Sequence, residues 1–238
     1  MYFSAAGSPG RRAPRLLDTF PAMVAYSTSR LSTDYSGPCL RVRSELDDSE
    51  LDIDFAGEWL SALQLINFIG PVYIGRIAAW YDQSGNGRDA VQPTKALQPQ
   101  ICIGGVVDTN GGRPAILFNG TGRNLRYGSP ISCTSASSFA VFEETSNSTS
   151  YAAWSSNPSK GELWRFGSGA GFMSNLSALR REGFPSSGVS GRSLVETYHS
   201  ATNAMTVFKN GTSLGTDTTQ AFEAPTEIKI GASEFFQL

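Results

Sequence analysis

Residues Trp80-Tyr81-Asp82-Gln83-Ser84-Gly85-Asn86-Gly87-Arg88-Asp89-Ala90 constrain this chain more than any other stretch. An apolar run, Ile77 to Tyr81, stops abruptly at a polar turn punctuated by two glycines. Buried strands end in this way, because Gly reaches positive φ without strain and Asp, Asn and Ser bond the backbone around it. A second unit of the same kind follows, Pro114-Ala115-Ile116-Leu117-Phe118-Asn119-Gly120. Short apolar segments closed by turn residues predict strands throughout.

The composition agrees with many short strands. Hydrophobic residues make up 40% of the 238, enough for a core and too many for a disordered chain. Charged residues are only 17%, against 25 glycines. The formal net charge is −2 and Lys/Arg are dispersed, which argues against a nucleic-acid surface. No apolar run approaches the roughly 18 residues of a membrane span. The N-terminus lacks the basic-then-apolar order of a secretory signal. Cys39, Cys102 and Cys133 are odd in number and widely spaced, so they read as buried thiols rather than a disulfide framework. A protein made in a reducing compartment is expected.

Along the chain, residues 1–15 hold Ser8-Pro9-Gly10 and Ala13-Pro14 with few apolar groups, and predict an extended N-terminal arm. Its cations Arg11, Arg12 and Arg15 are either solvated or a grip for an acidic partner. Residues 16–238 predict one domain. Leu40-Arg41-Val42-Arg43 alternates as a half-exposed strand does, and Leu51/Ile53 predict a strand within the acidic stretch 45–54. One short helix is expected over 59–69, with Leu60, Leu63, Ile66 and Phe68 on its apolar face and Gly70 as its stop. Further strands are predicted at 77–81, 100–103, 115–118, 138–143, 151–154, 163–167, 171–174, 193–199, 204–209 and 226–230. Asn210-Gly211 predicts a tight hairpin after Lys209. The segment 228–232 reads as a penultimate strand, leaving the closing strand to the last few residues, to another part of the chain, or to a neighbour adding a strand at an open edge.

Two groups of residues carry a family resemblance. The first is Leu16-Leu17-Asp18-Thr19-Phe20-Pro21, Ala25-Tyr26-Ser27, Arg30-Leu31, Tyr35-Ser36-Gly37-Pro38 and Arg41-Val42-Arg43. The second is Tyr81 to Ala90 together with Gln98-Pro99. They resemble the N-terminal part of the arabinofuranosidase-B catalytic domain, and more closely its shortened relatives in tailed-phage structural proteins. The likeness covers about residues 16–127; beyond that the chain is similar only to the general laminin-G-like pattern, chiefly at 202–211 and 228–232. The resemblance implies an all-β fold, a concanavalin A-like jelly-roll β-sandwich with one short helix and an extended N-terminal arm.

The arabinofuranosidases are retaining enzymes, which need two carboxyl groups about 5–5.5 Å apart. In the family a vicinal cysteine pair precedes the nucleophilic Glu. Tyr151-Ala152-Ala153-Trp154 occupies the comparable stretch here without a cysteine. Glu162 follows as the candidate catalytic carboxylate. The resemblance therefore implies a non-enzymatic virion component of a bacteriophage, on tail or capsid exterior, made in the bacterial host cytoplasm. It would dock other virion proteins or copies of itself through the arm and an open sheet edge. The alternative is a retaining α-L-arabinofuranosidase.

Other residues offer chemistry of their own. Asp82, Ser84, Asn86 and Asp89 could converge on Ca2+, or could bond their own backbone as a turn; Pro93 stands where an EF-hand requires Glu. No other cofactor is expected. Glu143 and Glu144 are adjacent on a strand and point to opposite sides, a poor catalytic pair. His199 is the single histidine, with no nucleophile elbow to accompany it. Trp59, Trp80, Trp154 and Trp164 could stack on sugar rings, and Trp154 with Asn157 is the candidate glycan site, for a host surface glycan.

Overall fold

The computed structural model describes residues 14–118, 122–143, 151–155, 161–166, 173–175, 181–182, 192–200, 204–218, 224 and 227–231. A short helix α1 (Leu16–Thr19) precedes β1 (Leu40–Ser44), β2 (Glu50–Ile53), β3 (Phe55–Ala56), β4 (Trp59–Leu60) and helix α2 (Ala62–Ile69). Then come β5 (Ile74–Trp80), β6 (Ala90–Val91), β7 (Gln100–Ile103), β8 (Val106–Val107), β9 (Thr109–Asn110), β10 (Arg113–Pro114), β11 (Asn124–Tyr127) and β12 (Ala136–Phe142). The chain continues through β13 (Tyr151–Ser155), β14 (Gly161–Phe166), β15 (Met173–Asn175), β16 (Arg181–Glu182), β17 (Ser193–His199), β18 (Met205–Lys209), β19 (Thr212–Asp217) and β20 (Ile228–Gly231).

The protein is an all-β sandwich. Its large sheet runs β16-β15-β14-β13-β20-β11-β6-β5-β1-β2, with β7 and β8 branching from β5. A four-stranded sheet, β12-β17-β18-β19, is the second layer, and β3-β4 and β9-β10 are small hairpins. Neighbouring strands pair antiparallel. Each layer has its own apolar cluster. On the large sheet, Leu40, Val42, Ile53, Ile77 and Leu125 bury completely with Leu65 and Ile69 of α2. On the small sheet, Val195, Met205 and Val207 are the buried centre. Each such side chain taken from water contributes about 1.5–3 kcal/mol.

The helix is shorter than its sequence pattern implies. Trp59 and Leu60 pair with Phe55 and Ala56 as a hairpin, so α2 starts only after Ser61. The Ser61 hydroxyl accepts the Gln64 N–H at 3.4 Å, and Gly70 ends the helix at φ 81°. Leu65 and Ile69, one turn apart, face the core, whereas Leu63 is exposed. Most predicted strands are present within a residue or two. The segment 115–118 is a correction: it joins the sheet through a single bridge, Leu117 to Gln100, and the regular pairing falls at Arg113–Pro114 instead.

β20 lies inside the large sheet, with β11 on one side and β13 on the other. Residues 232–238, the first candidates for a closing strand, lie outside the described residues. Among the described residues the end strands of the large sheet are β2, β16 and, on the branch, β8, and those of the four-stranded sheet are β12 and β19. Asn210 (φ 50°) and Gly211 (φ 77°) form the expected tight turn between β18 and β19.

Candidate functional site

The glycine-punctuated corner after β5 fixes one end of the large sheet. Asp82 is 3% exposed. Its Oδ1 accepts the N–H groups of Ala25 (2.8 Å) and Ser84 (2.9 Å), and its Oδ2 accepts the Ser84 hydroxyl (2.7 Å) and the Arg88 N–H (3.1 Å). A carboxylate has about four lone-pair positions, so Asp82 is saturated by the chain itself. Asp89 Oδ1 accepts the Asp82 N–H at 2.9 Å, and Asn86 Nδ2 donates to the carbonyls of Ala22 and Met23. Gly85 and Gly87 hold φ of 84° and 67°, which an L side chain adopts only with strain.

Beside it, Gln83 spans three backbone groups. Its Oε1 accepts the Leu31 N–H at 2.7 Å, and its Nε2 donates to the carbonyls of Ser27 and Ser29, both at 3.0 Å. The corner is thus a rivet that fastens the irregular stretch 22–31 onto the sheet. Asp82, Ser84, Asn86 and Asp89 bond one another and that stretch. Among the described residues no group of three His, Cys, Asp or Glu side chains is placed to hold a metal ion.

Next to the rivet, Arg41 donates to both oxygens of Asp52 at 2.8 and 2.9 Å, and the Tyr81 hydroxyl donates to Asp52 at 2.6 Å. The Arg41 hydrogen bonds hold the Asp52 carboxyl below the usual carboxylate range, with Tyr81 adding to the effect; burial and then Asp52 push the Tyr81 phenol upward. Gln98, quoted above with the resemblance, is 2% exposed and is a further joint. It accepts from Arg43 Nε at 2.7 Å and donates to the Gln92 carbonyl at 3.0 Å, while its own carbonyl accepts from Arg123 at 2.8 Å.

A shallow groove of about 580 Å³ opens where the β3-β4 and β9-β10 hairpins meet. Trp59, Val107, Thr109, Arg113 and Pro114 line it, with the Gly111-Gly112 turn at its rim. The Arg113 guanidinium lies over the Trp59 ring, 4.8 Å from its centroid. Sequence reasoning named Trp59 among the aromatic residues and missed Arg113. The signal was present in Thr109-Asn110-Gly111-Gly112-Arg113-Pro114, since a Gly-Gly pair between short polar flanks is a hairpin turn.

Glu162 lies in β14 opposite Ser174 of β15. Trp154 lies in β13 opposite Ile230 of β20. Asn157, Arg11 and Arg12 lie outside the described residues. Glu143 follows β12 and accepts a hydrogen bond from Asn110. Arg15 belongs to the folded body rather than to an arm: its side chain is 6% exposed, and it donates to Glu58 at 2.5 Å and to the Arg30 carbonyl at 2.6 Å. A guanidinium enclosed by a carboxylate and a carbonyl of its own chain is not on offer to a partner.

With this geometry in place, comparison with solved structures returns arabinofuranosidases. A mutant GH54 α-L-arabinofuranosidase soaked with 4-nitrophenyl α-L-arabinofuranoside matches with a TM-score of 0.66 at 17% identity, over 88% of this chain and 55% of that one. An arabinofuranosidase complexed with arabinofuranosyl-α-1,2-xylobiose matches with a TM-score of 0.65 at 17% identity, over 87% and 54%. The chain thus spans about half the length of these neighbours. No family model and no curated protein matches the sequence. At this identity the likeness establishes the fold: an all-β sandwich of the arabinofuranosidase kind.

Proposed function

We propose that this chain is a carbohydrate-directed sandwich that engages α-L-arabinofuranosyl groups, with retaining hydrolysis as its activity. The observation that carries the reading is the match over 88% of the chain to an arabinofuranosidase soaked with an arabinofuranoside. Retaining chemistry needs a nucleophilic carboxylate and a second carboxyl group that protonates the leaving oxygen, about 5–5.5 Å apart. Asp82 and Asp89 are spent on the corner, Asp52 on Arg41 and Tyr81, Glu45 on Arg76, and Asp48 on Arg43 and Lys95. Glu162, carried by β14, is the carboxylate we assign to the reaction.

The test is release of 4-nitrophenol from 4-nitrophenyl α-L-arabinofuranoside by the full chain and by Glu162→Gln, with calorimetric titration of an arabinofuranosyl xylobiose alongside. Turnover that falls about a thousandfold in the variant supports the assignment. Turnover unchanged in the variant removes Glu162 from the mechanism. Saturable binding without turnover makes the chain a binding module. Neither binding nor turnover sinks the proposal and leaves docking in a virion, through arm residues such as Arg11 and Arg12, as the reading to pursue.

A further inference from the structure

Two arginines converge on the β9-β10 hairpin. Arg113 is held over Trp59 at 4.8 Å, and a guanidinium used through its face keeps its N–H edge for in-plane hydrogen bonds. Arg192 reaches the turn itself: a Cβ built on Gly111 would stand 1.9 Å from its Nη1. Gly111 (φ 56°) therefore lets the turn form and leaves room for that guanidinium. A Cβ on the neighbouring Gly112 meets nothing within 4 Å, so the space beside the tip is open.

Neither guanidinium has a carboxylate partner among the described residues, although the chain as a whole is net negative. The acid that the hairpin does touch, Glu143, is engaged by Asn110. Two cations at one turn repel each other, and an anion between them relieves that repulsion while taking charge-assisted hydrogen bonds. The groove floor is not ionic. Pro114 and Val107 offer apolar surface and Thr109 a hydroxyl, a combination suited to the C–H face and hydroxyl edge of a sugar ring.

We propose that this groove is a binding subsite for a carboxylate-bearing sugar, a hexuronate residue of an acidic glycan. Arg113 and Arg192 take the carboxylate, and the ring rests on Pro114 and Val107. The subsite does not depend on arabinofuranose recognition or on Glu162.

The experiment is calorimetric titration of the full chain with a glucuronate-bearing xylotriose, with its carboxyl-reduced counterpart and with sodium acetate. Wild type is expected to bind the acidic oligosaccharide at least about tenfold more tightly than the reduced one, the scale of charge-assisted hydrogen bonds. Arg113→Gln and Arg192→Gln, both at exposed positions, should each abolish most of that preference without lowering Tm. Gly111→Ala should weaken the preference too, by displacing Arg192, with some loss of Tm because the position holds φ 56°. Equal affinity for the acidic and reduced sugars overturns the proposal, as does a preference that survives in the arginine variants. Acetate competing as well as the oligosaccharide shows a bare anion site and overturns the sugar assignment. Loss of 4-nitrophenyl arabinofuranoside turnover with this preference intact would sink only the preceding assignment.

Discussion

Asp82 shows how one residue does the work of several. It anchors four donors, three from its own corner (the Ser84 N–H and hydroxyl and the Arg88 N–H) and one from Ala25. Asp82→Ala would strand buried N–H groups and should cost about 3 kcal/mol, read as a lower urea midpoint. Asp52 gives a pH signature. Its folded pKa is depressed, chiefly by Arg41, so its contribution is present above the unfolded value of about 3.9 and is lost as pH falls through the folded one. Asp52→Asn should therefore lower stability at pH 7, by under about 1 kcal/mol for so exposed a pair, and flatten the decline below pH 4. Cys39 and Cys102 are buried free thiols, and burial pushes both upward, Cys102 to about 11. Native protein at pH 8 should leave both unreactive toward a disulfide reagent, and guanidinium should release them; labelling of either in native protein would contradict their placement. The turn chemistry of the corner was readable from Asp, Ser, Gly and Asn alone. Its long-range partners were not, because nothing local marks Ala25 or Leu31 as the backbone that Asp82 and Gln83 will seek.

At the scale of elements, strands announced themselves where alternation and turn residues coincided, as at Gln100–Ile103 and Ser193–His199. Pattern failed where tertiary pairing overrode it. Trp59 and Leu60 fit a helical face, yet Phe55 and Ala56 offered a partner strand first. β11 was not legible, since Asn124-Leu125-Arg126-Tyr127 is too short and polar to stand out; pairing with β20 makes it a strand. That junction is tight. A Cβ on Gly231 (φ 101°) would stand 2.4 Å from the Phe118 ring and 2.6 Å from the Arg123 carbonyl. Gly231→Ala should destabilise by about 3 kcal/mol through backbone strain and overpacking together, measured as denaturant midpoint. Leu65→Ala, which opens a cavity where α2 meets the large sheet, should cost about 2–5 kcal/mol. An unchanged midpoint in either variant would contradict the packing described.

For the whole molecule, the sandwich was legible and its topology was not. Composition and turn residues point to many short strands and the family resemblance to stacked antiparallel layers, but the insertion of β20 between β11 and β13 joins segments far apart in sequence, which no local pattern encodes. The groove shared by two hairpins escaped for the same reason: Trp59 and Arg113 meet only after folding. The claim on which the functional reading stands is that this sandwich recognises arabinofuranose. A ligand that binds only the folded state raises Tm by mass action. Methyl α-L-arabinofuranoside at about 100 times its Kd should stabilise the chain by about 2.7 kcal/mol, a rise of about 5–10 °C, while methyl β-D-xylopyranoside at the same concentration should leave Tm unchanged. Identical melting with and without the furanoside, up to the solubility of the sugar, would contradict the account.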